Sequence, residues 1–201
     1  MDLYYSPGAC SLAPHIVAHE AGLALNPVRV DLRAKKMADG GDFLAVNSKG
    51  YVPALRTDGG VVLTEVAAIL QYLGDLKGDG ALMPPAGTAA RLKQQEWLSF
   101  ISTEVHKNIG AFFNPAMTPD WRKGVEGILA RRLGWLNSAL AHQPYLMGEA
   151  FSAADAYLFV VLNWTKLVGY DLDQFPHLAA FRQRIAGRPA VQAALKAEGL
   201  I

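Results

Sequence analysis

The chain carries a single cysteine, and its setting is the first chemical signal. Cys10 follows Leu3-Tyr4-Tyr5, a short apolar and aromatic run that suits a buried strand. Between them lies Ser6-Pro7-Gly8, where Pro presets φ and Gly accepts φ > 0. From Ser11 onward, Leu12, Ile16, Val17 and Leu23 read as one helix, with Pro14 in the first turn, where no amide donor is needed. Cys10 therefore sits where a strand has turned into a helix. Unpaired amides at a helix N-terminus favour an anion, so this thiol is expected to ionise more easily than a free one. The thiolate is the nucleophile. Read alone, the residue is equally a small buried hydrophobe.

Other side chains carry plainer readings by themselves. Glu65, at the start of a helix after Thr64, complements the helix dipole. Lys35 reads as a solvated surface lysine. His106, within a long helical run, reads as a structural histidine. Ile109, Phe113, Tyr157 and Trp164 are an aromatic and apolar set at helical spacing, which serves a core.

These residues need elements to place them. After the first helix, Asn26-Pro27 breaks the chain and Val28–Val30 alternates like a strand. Asp31 to Lys49 is polar, with Phe43-Leu44 as anchorage, and predicts a short helix and loops. Ala54–Thr57 and Val61–Leu63 form a hairpin around Asp58-Gly59-Gly60. A helix then runs from Thr64-Glu65 to about Asp75, with Thr64 as expected N-cap. The first two strands need a parallel crossover and the last two a hairpin, so the expected sheet is mixed, four-stranded and covered by helices on both faces. Lys77 to Gly87, rich in Gly and Pro, reads as a linker. Beyond it the pattern is helical: Ala89–Phe112, Asp120–Ala141, Ser152–Val168, His177–Ala186 and Ala190–Glu198. Ser152-Ala-Ala-Asp155 resembles a capping box. The expected domains are 1–77, a linker 78–88 and an all-α domain 89–201.

Composition excludes several classes. With 201 residues, 51% hydrophobic and 18% charged, the chain can bury a sizeable core. The net charge of +1 and the lack of a Lys/Arg run argue against nucleic-acid and membrane partners. One cysteine makes no internal disulfide, and no zinc-ligand spacing exists, so no metal is expected. The chain opens directly in a strand with no basic region followed by an apolar run, so no secretory leader is expected and the reducing cytoplasm is the expected setting.

Taken together, Tyr5-Ser6-Pro7-Gly8-Ala9-Cys10-Ser11, Tyr51-Val52-Pro53-Ala54-Leu55, Leu63-Thr64-Glu65, Ser102-Thr103-Glu104-Val105-His106-Lys107 and Phe151-Ser152-Ala153-Ala154-Asp155 resemble cytosolic glutathione S-transferases, specifically the bacterial beta class. Within that class the chain is similar to the transferases of aromatic-pollutant degradation pathways. The resemblance spans both domains in order and spacing. It implies an α/β thioredoxin-like N-terminal domain, an all-helical C-terminal domain, a homodimer and a cis Pro53. It implies glutathione as co-substrate, held by Ala9, Cys10, Ser11, Lys35, Tyr51, Val52, Pro53, Glu65, Val66, His106 and Lys107. The γ-glutamyl carboxylate would meet the amides near Glu65 and Val66, its ammonium Glu65, and the glycine carboxylate Lys35. Val52 would pair with the cysteinyl backbone. Cys10 and His106 would be catalytic, with Ser11 offering a hydroxyl and Tyr5 packing. Relatives carry Ser or Thr after the glutamate, whereas Val66 leaves only its amide. Ala9, Ile109, Phe113, Tyr157 and Trp164 would receive a small apolar electrophile. The implied activity is conjugation of glutathione to that electrophile, with thiol transfer or reductive dehalogenation as a second chemistry through Cys10. Glutathione-dependent isomerase or disulfide reductase action, and a non-catalytic binder of glutathione or apolar ligands, are the alternatives.

Overall fold

The computed structural model describes all residues, Met1 to Ile201, and divides them into two compact units. One comprises Met1–Met83 with Arg188–Ile201, and the other Pro84–Gly187.

In the first unit, β1 (Asp2–Tyr5) pairs in parallel with β2 (Asn26–Asp31) through the crossover helix α1 (Leu12–Ala21). Strand β4 (Ala54–Arg56) runs antiparallel to β1, and β5 (Val62–Thr64) antiparallel to β4. The sheet is mixed, as expected, but five-stranded: Lys36–Met37 adds an edge strand, β3, in the order β3-β2-β1-β4-β5. Two residues with no alternation leave no trace in sequence, and only their pairing with Val30 and Asp31 makes them a strand.

Strand alternation divides the sheet. Tyr4, Val30 and Ala54 face one way and close a core with Phe43, from the 3₁₀ turn Phe43–Ala45, and Val52. Leu3 and Leu55, opposite each other in register, face the other way and are fully buried. Helix α2 (Val66–Lys77) packs against α1 and stops at Gly78, whose left-handed φ of 75° suits the residue without Cβ. Thr64 is the last residue of β5 and not the cap of α2; Glu65 takes that place at φ 70°.

The last helix, α8 (Pro189–Ala197), belongs to this unit and not to the helical domain expected over 89–201. It packs on α1, and Arg188 grips Glu20 with Nε 2.6 Å from Oε1 and a terminal amine 2.9 Å from Oε2. That is the two-pronged fork a guanidinium makes with a carboxylate.

The second unit is helical. Thr88 caps α3 (Ala89–Phe100) through the amide of Arg91. The helix expected to run straight to Phe112 changes pitch: Ile101–His106 is a π-helical turn, followed by α4 (Lys107–Ala111). Thr118 caps α5 (Pro119–Ala139), with Pro119 in the first position. Helix α6 (Ala153–Leu167) is buried on nearly all sides, the mark of a core helix, and packs on α3, the π turn and α7 (Pro176–Ala186). Its start is the expected capping box. Asp155 Oδ2 accepts from the Ser152 amide at 2.8 Å and hydroxyl at 2.6 Å, and Oδ1 accepts from the Leu146 amide at 2.8 Å. No helix is long and apolar enough to cross a membrane.

Candidate active site

The turn after β1 holds Cys10 by its backbone. The amide of Ala9 donates to Ser6 O and that of Leu12 to Ala9 O. Ser11 is fully buried; its hydroxyl donates to Ser6 O at 3.3 Å and accepts from the Ser6 amide at 3.2 Å. The hydroxyl is spent on closing the turn, so Ser11 does not offer it to a ligand as the motif implied. Tyr5 is buried beside His15, a packing role as expected.

Cys10 itself departs from expectation. Its Sγ donates to the carbonyl oxygen of Val52 at 3.3 Å, and burial pushes the thiol up to about 12. The amides of Cys10 and Ser11 pull the other way, as the turn-to-helix position predicts, but desolvation of the charged form outweighs them and Glu65 adds to it. Cys10 is thus a neutral donor and not the thiolate expected.

Beside it, the Val52–Pro53 bond is cis. Asn47, nearly buried, donates from Nδ2 to Tyr51 O at 2.7 Å and accepts from the Lys49 amide at 3.1 Å, which shapes the approach to that bond. Lys35, at a left-handed φ of 56°, donates from Nζ to Gly50 O at 2.6 Å. At the end of β5, Glu65 Oε1 accepts from Lys49 Nζ at 2.7 Å and from the Tyr51 hydroxyl at 2.9 Å. That bond to Glu65 raises the pKa of both Lys49 and Tyr51. Side chain Val66 is buried, leaving its amide at the start of α2. Thus Lys35, Tyr51, Val52, Pro53 and Glu65 gather around one loop and one helix end, with Cys10 on Val52.

Two participants escaped sequence reasoning. Lys49 lies two residues before Tyr51, and only the fold shows that it meets Glu65. Glu198, just past α8, reaches the Cys10 turn: Oε2 accepts from the Gly8 amide at 2.9 Å, and Oε1 lies 3.0 Å from His15 Nδ1. A separation of 190 residues leaves no local signal.

In the second unit His106 closes the π turn. Its Nδ1 is 2.6 Å from the Tyr157 hydroxyl, and its ring meets Trp164 edge-on at 4.8 Å between centroids. Phe113, half-exposed, meets Trp164 at 5.9 Å, and Lys107 is exposed. The seven-residue spacing of 157 and 164 keeps those two on one side of α6, while Phe113 lies just past the end of α4. Ile109 and Tyr157, read as pocket lining, are core: they are 0% and 1% exposed, because α4 turns Ile109 inward and α6 is enclosed. Ala9 keeps part of its surface and packs on the Tyr4–Phe43 core.

The chain matches the models for the glutathione S-transferase N-terminal domain over residues 8–76 and C-terminal domain over residues 119–184. It is 46% identical to glutathione S-transferase GstA of Escherichia coli O157:H7, over all of both chains. A bacterial beta-class glutathione S-transferase of Sphingomonas chungbukensis superposes with a TM-score of 0.96 at 46% identity, all of both chains covered. A sphingomonad glutathione S-transferase complexed with glutathione gives 0.96 at 44% identity, with the same coverage.

Proposed function

Since this chain belongs to the glutathione S-transferase family and is a glutathione transferase, we propose that it binds glutathione around the loop 47–53 and the start of α2 and joins its sulfur to a small apolar electrophile. The observation that carries the binding mode is the Glu65 cluster. Glutathione brings two carboxylates, one ammonium and a thiol. Glu65 is an acceptor for the ammonium, already held by Lys49 and Tyr51. The amides opening α2 suit the γ-glutamyl carboxylate, and Lys35 and Lys49 supply positive charge for anions. Val52 offers backbone groups to the cysteinyl part, next to Cys10.

The chemistry follows from the state of Cys10. Burial pushes its thiol well above neutral pH, up to about 12, so it is protonated at pH 7. Its contribution is then that of a neutral S–H donor beside an incoming sulfur anion, and the nucleophile is the glutathione thiolate. That sulfur forms a bond to the electrophilic carbon while the leaving group departs with the bonding pair; the thiol proton passes to water. The enzyme supplies charge stabilisation and proximity. By the family resemblance, His106 is a donor and Lys107 a positive charge for that sulfur. Thiol exchange through Cys10 is the minor chemistry on this reading, because a protonated sulfur is a poor nucleophile. We further propose a cytoplasmic homodimer. Leu92 on α3 and Trp135 on α5 are 65% and 50% exposed, apolar surface that a second copy would cover.

The test is titration calorimetry with glutathione followed by turnover of chlorodinitrobenzene. Binding that weakens about tenfold or more in Glu65→Ala, with conjugation in the parent, supports the reading. Binding without turnover of any electrophile or disulfide overturns it in favour of a ligand carrier.

A further inference from the structure

We propose that Tyr157 is a positioning residue, whose hydroxyl donates to Nδ1 of His106 and thereby holds the imidazole in the tautomer with its proton on Nε2. The proposal rests on the reading above that His106 serves the sulfur chemistry.

The geometry leaves Tyr157 little freedom. It is 1% exposed, on a helix enclosed on nearly every side, and that helix is pinned at its start by the Asp155 capping box. Its oxygen lies 2.6 Å from His106 Nδ1, with the two rings edge-on at 88°. Trp164, two turns further along α6, closes on the imidazole at 72°. Two contacts from one rigid helix therefore set the tilt of the histidine ring.

Its backbone is set as well. His106 ends a π turn, in which wider spacing frees carbonyls from the regular ladder. Side chains take up the slack. Thr103 donates to Ser99 O at 3.1 Å and Asn108 Nδ2 to Glu104 O at 2.8 Å. Glu104 is tied to α5 through Arg132 at 2.6 Å.

The direction of the Tyr157–His106 bond decides what the histidine can do. A neutral imidazole has one N–H and one bare nitrogen. The bare nitrogen is a stronger base than a phenol oxygen, and the phenol is a ready donor, so the hydroxyl proton points at Nδ1. The proton of the neutral ring then sits on Nε2. In that form Nε2 donates a hydrogen bond and cannot remove a proton. Such a group stabilises a sulfur anion that already exists, and is unsuited to act through Nε2 as the base that creates it.

The test uses full-length protein labelled with ¹⁵N-histidine. Two-bond ¹H–¹⁵N spectra at neutral pH distinguish the tautomers directly. The Nε2–H form is expected for His106 in the parent, and a mixture of both forms in Tyr157→Phe. Kinetically, Tyr157→Phe should lower kcat about fivefold, the scale of one lost neutral hydrogen bond, with KM for glutathione nearly unchanged. In a His106→Ala background the same change should cost little more. An Nδ1–H tautomer in the parent overturns the proposal while leaving conjugation intact. If Tyr157→Phe does not fold, the parent spectrum still decides. A parent in the Nε2–H form with full activity in His106→Ala would instead defeat the role of His106, and Tyr157 would be structural only.

Discussion

The sulfur of Cys10 lies 3.3 Å from the carbonyl oxygen of Val52, as a thiol donating to the residue that precedes the cis proline. Burial of the sulfur keeps the proton on it, and the Val52 carbonyl accepts that proton. Alkylation by iodoacetamide should be slow at neutral pH and climb only above the ordinary thiol value of 9.0 toward about 12. The folded chain holds this proton where the unfolded chain has lost it, so the stability it contributes is full below 9.0 and lost as pH rises through about 12. Rapid alkylation at pH 7 would contradict this. Cys10→Ala should leave conjugation largely intact while removing thiol exchange; equal loss of both would show that the two share one sulfur.

Glu65 stands exposed, with two partners that hold it without burying it. Pairs of this kind contribute little to stability. Glu65→Ala should therefore leave the thermal midpoint almost unmoved while the glutathione dissociation constant rises about tenfold or more, the scale of one charge-assisted hydrogen bond. Lys49→Ala should weaken binding less, because Tyr51 still orients the carboxylate. A large drop in midpoint for either variant would show that the cluster is part of the scaffold.

Val66 opens α2 with a buried side chain. Val66→Ser should tighten glutathione binding modestly, through one hydroxyl near the helix end, and lower stability by about 1 kcal/mol as apolar burial is lost. Calorimetry and a urea titration read the two effects separately. An unchanged dissociation constant would mean that the hydroxyl turns away from the ligand.

Asp155 accepts three hydrogen bonds at the start of α6, yet burial raises its pKa from 3.8 to about 6. Asp155→Asn turns a donor toward the amides and should cost about 2 kcal/mol, since buried amides lose their acceptor. The sign with pH follows from the raised value. Between 3.8 and about 6 the folded chain binds the extra proton, so the stability contributed by this group falls as pH rises through that window and is flat above it. The gap between parent and Asn variant should be wider at pH 5 than at pH 7 in urea titrations. A gap that widens toward pH 7 would mean that the three donors outweigh desolvation.

Glu198 bridges the chain end to the turn before Cys10. Glu198→Ala removes the carboxylate that meets both the Gly8 amide and His15 Nδ1, and should cost about 1–3 kcal/mol. The variant should melt earlier and, at temperatures where it remains folded, show faster alkylation of Cys10 as the turn loosens. An unchanged alkylation rate would confine Glu198 to global stability.

What the sequence by itself determined is what local chemistry controls. Ser6-Pro7-Gly8 makes a turn wherever it stands, Asp58-Gly59-Gly60 a hairpin, and Ser152 with Asp155 a helix start, because each acts over a few bonds. Recurrent motifs, taken together, carried the family, and with it the cis bond at Pro53. Tertiary structure decided the rest. Lys36–Met37 became a strand through the neighbour it pairs with, and α8 left the helical unit because Arg188 and Glu198 have partners near the start of the chain. Tyr157 lies in the core and not in a pocket because α6 is enclosed on nearly all sides. The charge of Cys10 shows the divide most sharply. The helix end that lowers its pKa is written in adjacent residues, whereas the desolvation that wins is the sum of everything packed around it, which no stretch of the chain contains.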